Sequence, residues 1–523
     1  MKSIDELRAM SDRMFKFQYP MLSLYQTLAD HFYPERADFT ITRNVGAELA
    51  DSLVDSYPVM VRRDLGNSVH AMLRDGDWFA LTTSDLSYMN QDAKMWLEWA
   101  SIIQKRAMYM RDAAFIKSVK QGDHDFMTFG QCVISVEMNR KRNGLLYRNW
   151  HLRDMAWRED ETGAVGDITR RWKPCNDELL KIFGEKAVHP KVVEGARKEP
   201  YSEVDVRHIV MSTETYGAYD DMQLSQFPNV SIFIDVTNNH IMEIRGLRNK
   251  YYAVPRFQTI AGSPYAYSPA TVAGLPDARA LQAMTHTLLE AGERYARPPV
   301  IATVQAVRSD VDLSADGITW LDKEYDERNG AGLRPLFQNS GGFPIGLELR
   351  SEIKSVLASA FYLNKIVLPP ADHEMTAYET AERMKQYRRE ALPLFQPAES
   401  EYNGQICEMT FDLMMANNMF GSPHDIPQAL LGRDVEFRFQ SPLTATEEEK
   451  KVNRFHQTAQ LLAEAAQFDQ TAIANLNFDL ALREAIAGTG APSYWLNDPK
   501  DVAEKKAMQQ AQMAAEAATG AAA

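Results

Sequence analysis

Apolar residues recur at helical spacing on both sides of a proline-rich segment between residues 347 and 420. Over 347–363 they occupy every third or fourth position, with charged residues opposite, which predicts a helix with one apolar face. At 1.5 Å per residue, that helix is about 25 Å long. The residues of its apolar face are Leu349, Ile353, Val356, Leu357, Ala360 and Leu363.

A loop and a second helix are predicted next. The Pro369-Pro370 pair cannot continue a helix, so residues 364–375 are a predicted loop. Thr376 and Glu379 then have the spacing of a capping box, and the apolar period returns as far as Phe420. We expect a long helix here that its internal prolines bend or split.

The first 127 residues keep a helical period almost throughout. We expect a helix near the start that Tyr19-Pro20 interrupts, because proline breaks the backbone hydrogen-bond pattern. Further helices are predicted over 59–73, ending just before Trp78-Phe79, and over 96–115.

From Phe129 the pattern changes to short β-rich runs. Residues 142–144 and 237–239 have turn sequences between such runs, and a helical pattern lies near 177–183. The sequence therefore predicts a mostly antiparallel β region with a helical insertion. Its predicted strands are 132–136, 145–147, 156–157, 168–172, 204–210, 231–236 and 241–244.

Glycines and prolines between 262 and 276 predict a boundary, and a helix that closes at residue 297 follows it. Residues 298–346 are predicted to form short strands and turns; between 300 and 346 they hold seven acidic and four basic residues. Beyond Phe420 we expect a strand over 435–439, further helix from 446, and a frayed or disordered tail from 501. The fold class is therefore α+β, predominantly α.

Composition restricts the function. The chain has 523 residues, more than one core usually serves, and a net charge of −14, whereas a simple nucleic-acid clamp is basic. No run of about 18 apolar residues and no apolar segment of signal-peptide type occurs, so we expect a chain that neither crosses a membrane nor is exported. Cys132, Cys175 and Cys407 lie far apart, which favours three reduced structural thiols.

Catalytic signatures are absent from the sequence. There is no phosphate-binding G-x-x-x-x-G-K-[ST] loop and no G-x-S-x-G nucleophile elbow. His373-Glu374 begins like a zinc-binding helix, but Ala377 occupies the place of the second histidine. Ser351 and Lys354 have S-x-x-K spacing without its companion motifs, so we interpret them as solvated surface.

Three polar clusters are candidates for chemistry or binding. Asp123-His124-Asp125 could bind a metal or act in acid/base catalysis, but adjacent side chains diverge, and we interpret the triplet as a turn. Residues 140–142 form a small basic patch that could contact phosphate, but it flanks a hairpin turn and we interpret it as a solvent-facing loop. The acidic run of 322–327 is either a solvated face or a docking surface for a protein.

Four motifs resemble the portal, or head-to-tail connector, family of short-tailed bacteriophages. They are the helix 59–73 with Trp78-Phe79, Phe126-Met-Thr-Phe-Gly130 before a β run, Pro255-Arg256 with Gly262-Ser-Pro-Tyr265 and Ser268-Pro269, and Met375-Thr-Ala-Tyr-Glu379 with Glu382-Arg383. Ser263 and Ala266 stand where the family commonly has Glu and Gly.

The resemblance implies a ring, usually of twelve subunits, that surrounds double-stranded DNA at one capsid vertex. Within each subunit, it implies a stem of two helices that bracket a clip, followed by a loop that projects into the DNA channel. The implied parts are a wing (1–262, joined by 376–445), stem helices (276–297 and 347–363), the clip (298–346), the channel loop (364–375), a helical crown (446–500) and a flexible tail (501–523). The implied channel-loop residues are Asn364, Lys365, Pro369, Pro370, Asp372, His373 and Glu374, and those of a docking surface on the clip are Asp322, Glu324, Asp326 and Glu327.

The implied partners are further copies of the chain, DNA, the large terminase subunit, the capsid and scaffolding proteins and a tail adaptor, with no cofactor, no metal and no catalysis. The net negative charge is consistent with a DNA channel, since each Lys or Arg bound to a phosphate adds affinity and so opposes sliding. Two alternatives remain: a nucleic-acid-processing enzyme with a carboxylate site at Asp123 and Asp125, and a non-viral helical scaffold.

Overall fold

The structure is a computed structural model of an α+β chain in which helix predominates, as the sequence predicts. It describes residues 1–523 except 45, 52, 75, 84–89, 219–220, 297–299, 303–332, 336–341, 367–398, 440–444, 467–475, 490, 492–494, 498 and 521–523.

The described α-helices extend over nearly the whole length of the chain. They are α1 (Ile4–Phe32), α2 (Tyr57–Leu73), α3 (Gln91–Met108), α4 (Phe115–Phe129), α5 (Asn176–Phe183), α6 (Pro190–Lys198), α7 (Thr213–Tyr216), α8 (Leu275–Ala296), α9 (Gly342–Ala360), α10 (Leu363–Ile366), α11 (Gln405–Ala416), α12 (Ala445–Ala466), α13 (Phe478–Gly488) and α14 (Pro499–Gly520). Two π-helical turns, Ala270–Gly274 and Glu399–Gly404, lead directly into α8 and α11.

The described strands form antiparallel sheets. They are β1 (Phe79–Thr83), β2 (Ile134–Met138), β3 (Leu145–Asn149), β4 (Met155–Glu159), β5 (Val165–Trp172), β6 (Val206–Ser212), β7 (Asn229–Asp235), β8 (His240–Leu247), β9 (Tyr252–Ala253), β10 (Val300–Ala302), β11 (Leu333–Pro335) and β12 (Val435–Phe439). Their orders are β4-β5-β6-β7-β8, β3-β2-β9, β1-β12 and β10-β11.

The predicted turns between strands are confirmed. Arg142, with a φ of 54°, lies in the β2–β3 hairpin, and Asn239, with a φ of 50°, lies between β7 and β8. The predicted helical insertion is also confirmed as α5, and a second helix, α6, follows it. The two insertion helices bury Leu179 and Val192 in a small cluster with residues of the five-stranded sheet.

Helix α1 is unbroken, so the predicted interruption at Tyr19-Pro20 is wrong. Ser3 and Glu6 form a capping box at its start, and Pro20 lies inside it. A proline inside a helix costs about 3 kcal/mol or more, but tertiary contacts hold the chain on both sides of Pro20. Before it, the Gln18 side chain donates to the carbonyls of Leu152 and Met155; after it, Tyr25 is buried.

The helix predicted over 96–115 is two helices. Helix α3 ends at Met108, and Ala114, with a φ of 54°, precedes α4. The break turns Phe115 into the core, where its ring packs against Tyr109 and Tyr147. Because no proline or glycine occurs at this position, only the packing of Phe115 marks the break.

Two other boundaries differ from those predicted. Residues 342–346, predicted among turns, form the start of α9, where Gly346 allows close packing: a Cβ there would lie 2.6 Å from a methyl group of Leu288 on α8. The strand predicted over 435–439 is confirmed as β12, but its partner β1 follows Trp78 at a place where no strand was predicted.

The largest hydrophobic core among the described residues contains side chains from the four helices α1, α2, α3 and α4. The β2–β3 hairpin, α11 and the first turns of α8 also contribute to it. Residues from the Gly/Pro-rich segment 262–276 contribute to it, since Tyr265 and Ala270 are buried there. A second cluster packs Leu7 of α1 against β6 and β7. The three cysteines are free thiols, as predicted.

Candidate functional site

The candidate site is the antiparallel helix pair α8/α9, together with the loop before α2 that binds it. The residue just before α8 contacts the residue just after α9: a Cβ on Gly274 would lie 2.7 Å from the ring of Phe361. Leu288, three turns or more along α8, contacts Gly346 near the start of α9. The two helices therefore run side by side in opposite directions.

One side of the pair leaves large apolar residues in solvent. On α9, Ile345, Leu349 and Val356 are 59%, 44% and 48% exposed, and their spacing of four and seven residues places them on one stripe. Leu289 of α8 is also 56% exposed, but it lies four residues after Thr285 and so on a different side of the pair. An exposed apolar stripe on a helix is a candidate surface for contact with another protein.

The opposite side of the pair is held by Asp55, which lies in the loop before α2 and is 7% exposed. Its Oδ2 lies 3.0 Å from Nζ of Lys354 and 3.4 Å from Nε of Arg350, both on α9. From α8, the hydroxyl of Thr285 donates to the same oxygen at 3.3 Å. One carboxylate therefore bonds to both helices of the pair.

Gln282 of α8 also holds this loop through its backbone. Its side-chain oxygen accepts from the N–H groups of Val54 and Asp55, both at 2.9 Å, and its amide nitrogen donates to the carbonyl of Asp55 at 2.6 Å. We name Asp55, Gln282, Thr285, Arg350 and Lys354 the Asp55 cluster.

The ionic state of the Asp55 cluster follows from its contacts. Burial alone would raise the pKa of Asp55, but the bonds from Lys354 and from the backbone N–H of Tyr57 outweigh it and lower that pKa. Asp55 is therefore ionised at neutral pH. The interpretation of Ser351 and Lys354 as solvated surface is wrong for Lys354, which lies against both Asp55 and the ring of Tyr57.

The prediction that Asp123-His124-Asp125 forms a turn is wrong. The triplet is part of α4, and all three residues are buried there. Arg74 donates from Nη1 to both oxygens of Asp123, at 2.9 and 3.0 Å, and His70 Nδ1 lies 2.9 Å from Oδ2. The triplet is buried because arginines from other elements neutralise its carboxylates.

Asp125 and His124 bind further cationic groups. Arg36 forms a bidentate pair with Asp125 at 3.1 and 2.6 Å, and Asn149 donates to the same carboxylate. Arg62 lies 3.2 Å from Nδ1 of His124. The three adjacent side chains do diverge, as expected, but each is directed at a different neighbour in the core.

His124 fits closely against α2. A Cβ on Gly66 would lie 2.2 Å from the His124 ring, so only glycine leaves room for it. Burial, and then the positive charge of Arg62, lower the pKa of His124 to about 4. The ring is therefore neutral in the folded protein at neutral pH.

We predict that the stability of the core falls when the pH is lowered from about 6.5 to 4. Across this range the unfolded chain binds a proton at His124 that the folded chain does not, so the free energy of unfolding decreases as pH falls, by up to about 1.4 kcal/mol per pH unit. Denaturant unfolding of the wild-type protein and of His124→Gln at pH 6.5 and 5 tests this. The difference in free energy of unfolding between the wild-type protein and His124→Gln should be smaller at pH 5 than at pH 6.5. A difference that does not change with pH would contradict the prediction.

The described polar clusters show no arrangement for catalysis. Asp123 and Asp125 are 0% and 1% exposed and already bind arginines, so a nucleic-acid strand does not reach them. Within the ranges that the structure describes, no three His, Cys, Asp or Glu side chains converge in a way that could hold a metal ion. Among those same residues, no helix is long and apolar enough to span a lipid bilayer.

The structure describes only some of the other predicted site residues. Asn364 and Lys365 belong to α10, so the loop predicted over 364–375 is wrong for residues 364–366, which precede the Pro369-Pro370 pair that cannot continue a helix. Asn364 is exposed and donates to the hydroxyl of Ser359 at 2.9 Å. Residues 140–142 are exposed on their hairpin, as predicted. Outside the described residues lie Pro369, Pro370, Asp372, His373, Glu374, Asp322, Glu324, Asp326 and Glu327.

Sequence reasoning missed the Asp55 cluster. Asp55 is one acidic residue in a loop, and its partners on α8 lie 227 and 230 residues away. The available signal was on α9, where Arg350 and Lys354 repeat at a spacing of four on the same side as the apolar residues Ile353 and Leu357. Two cations beside a buried stripe require an anion from another element.

The chain was compared with known proteins. The sequence profile of the family described as "Bacteriophage head to tail connecting protein" matches residues 5–496. The "Probable portal protein" of Bordetella phage BPP-1 is 23% identical over 453 residues, which cover 81% of this chain and 76% of that protein. The "Portal protein" of Salmonella phage epsilon15 is 20% identical over 439 residues, covering 82% and 77%.

A solved structure was also found. It is a chain from the "Virion of native gene transfer agent (GTA) particle", with a TM-score of 0.34 and 12% identity over 76% of this chain and 85% of that one. The family match does not depend on it, since the profile extends over almost the whole sequence and includes all four motifs that carry the resemblance. The resemblance is therefore confirmed: the chain belongs to the bacteriophage head-to-tail connecting protein family, and its curated relatives are portal proteins.

Proposed function

We propose that this chain is the portal subunit of a phage virion, that about twelve copies close into a ring at one capsid vertex, and that double-stranded DNA passes through the ring during packaging and ejection. The observation that carries the proposal is the family match over residues 5–496. The subunit number comes from the resemblance.

The uncovered apolar stripe of the α8/α9 pair supports assembly. Ile345, Leu349 and Val356 lie beside the residues of α9 that pack on the core, Ile353, Leu357 and Ala360, and they remain exposed in the single chain. In a closed ring, every subunit presents one such surface to its neighbour, and the contact repeats around the symmetry axis. We assign α8 and α9 to the stem, whose apolar side contacts neighbours and whose polar side meets water or DNA.

The absence of an ATP-binding loop supports a division of labour between proteins. No phosphate-binding motif occurs in the 523 residues, so the energy for packaging comes from a separate terminase ATPase. We assign the acidic residues Asp322, Glu324, Asp326 and Glu327 of the clip to its docking surface, and a tail adaptor replaces it after packaging. Capsid and scaffolding proteins contact the outside of the ring.

The channel loop of residues 364–375 is assigned to the DNA path. Its first residues belong to α10 (Leu363–Ile366), which follows shortly after the end of α9 in the helix pair that we assign to the stem. The chain holds 71 acidic against 57 basic residues, and this net charge of −14 disfavours tight binding of phosphates and so favours DNA that slides.

Electron microscopy of the purified full-length protein tests the proposal. We expect uniform rings with a central hole, and a particle mass close to that of twelve 59.3-kDa chains by native mass spectrometry. A monodisperse monomer at high concentration, or a particle without a hole, would exclude it in favour of a helical scaffold. Measurable ATP turnover or metal-dependent DNA cleavage by the purified chain would favour an enzyme instead.

A further inference from the structure

The two helices of the α8/α9 pair are both interrupted at the same level. Helix α8 begins directly after the π-helical turn Ala270–Gly274. Helix α9 ends at Ala360, and Tyr362 then adopts a φ of 57°, which is unusual for a residue with a side chain. The regular α-helical geometry of both helices therefore stops at this level.

The two interruptions touch each other. Phe361 is fully buried, its ring lies against Gly274, and its centroid is 5.2 Å from that of Phe32 at the end of α1. π-helical turns occur frequently at functional sites, and hinge residues are a few positions at the ends of elements. Gly274, Phe361 and Phe32 thus form a compact contact about which a two-helix unit can turn.

The Asp55 cluster lies further along the same helices. Gln282 and Thr285 are two to three turns beyond Gly274 on α8, and Lys354 is two turns before Phe361 on α9. Between the two levels, Leu281 of α8 and Leu357 of α9 are buried in the main core. Thr285 and Arg350 lie beyond these residues, so the cluster adds an ionic contact further from Gly274 that helps to hold the angle between the pair and α2.

Solvent access makes the Asp55 cluster easier to open than the buried ion pairs of the core. The side chains of Arg350 and Lys354 remain 32% and 25% exposed, so water can replace Asp55 around them. By contrast, Asp123 and Arg74 are both fully buried, and separating them would leave charges without water. The cluster is the weaker of the two ionic contacts.

We propose that the α8/α9 pair pivots as one unit at the Gly274–Phe361 contact and that the Asp55 cluster locks it in the orientation seen here. The cluster couples the loop before α2 to the direction of the pair. If the pair forms the stem, which rests on the proposed function, this lock transmits changes at the stem to the body of each subunit.

Distance measurements between spin labels in the full-length protein test the lock. In a Cys175→Ser background, labels are attached at Ala291→Cys on α8 and Lys117→Cys on α4, both exposed positions. Cys132 and Cys407 are buried and should remain unlabelled. Labelled chains are mixed with an excess of unlabelled chains, so that the distances measured arise within one subunit.

Opening the lock should broaden the distance distribution about twofold in Asp55→Asn, because the neutral side chain no longer holds Arg350 and Lys354. The matched control is Asp51→Asn, an exposed acid in the same loop, which should leave the distribution unchanged. Lys354→Met provides a second variant that keeps Asp55 and should broaden the distribution less.

Two outcomes would overturn the proposal: an unchanged distribution in a folded Asp55→Asn protein, or equal broadening in Asp51→Asn. If Asp55→Asn does not fold, an unchanged distribution in Lys354→Met overturns it as well. The measurement needs no DNA and no packaging motor. A protein that fails to form rings can still show the lock, and a ring can form without it, so the failures of this proposal and of the proposed function are distinguishable.

Discussion

Asp123→Ala is expected to lower the free energy of unfolding of the core by about 3–5 kcal/mol, the range for removing one partner of a buried ion pair. Both side chains of the Asp123–Arg74 pair are fully buried, so the substitution leaves a guanidinium with neither water nor a carboxylate. His70 would lose its partner too. Denaturant unfolding followed by tryptophan fluorescence, at fixed protein concentration, measures the loss.

The matched control is Asp177→Ala, which removes the surface partner of Lys181 on α5 and should change stability by less than about 1 kcal/mol. A second variant separates the effect of the unpaired charge on stability from the effect of the cavity that the smaller side chain leaves. Adding Arg74→Met to Asp123→Ala removes the unpaired charge and should restore part of the lost stability. If Asp123→Ala were as stable as the control, the pair would not hold the core together.

Leu349→Glu combined with Val356→Glu is expected to abolish ring assembly while leaving the subunit folded. Each apolar side chain contributes about 1.5–3 kcal/mol when buried, and a carboxylate in its place would be desolvated at every contact around the ring. Both residues are 44% or more exposed in the single chain, so the fold should tolerate the change. Mass photometry measures the assembly, and circular dichroism measures the fold.

Ser351→Glu provides the control for the charge itself. Ser351 is exposed on the same helix but lies about 140° away from Val356 around the helix axis. Rings should form normally in this variant. Rings that persist in the double variant would show that the stripe faces solvent in the assembly, and a different surface would then have to join the subunits.

Local signals predicted much of the fold. The period of α9, the turn at Arg142 and the strand β12 each depend on neighbours within a few residues, and each is present. Longer-range effects were missed. Pro20 remains helical because distant residues pack on both sides of it, and β1 is a strand because β12 pairs with it across more than 350 residues of chain.

The same distinction between local signals and long-range contacts explains which site residues could be predicted from the sequence. Asp123-His124-Asp125 has the composition of a turn, and only arginines 49 to 89 residues away make its burial favourable. The family, by contrast, could be recognised because its motifs are short and local. Position within the fold, and with it the Asp55 cluster, required the three-dimensional structure.

Helix α1 connects two distant parts of the fold. Its first turns pack on β6 and β7 through Leu7, and its last residue, Phe32, contacts Phe361 at the foot of α9. As 29 residues in one helix, it spans about 44 Å without a loop. A displacement of the five-stranded sheet would therefore be linked, through a single helix, to the contact at the end of α9.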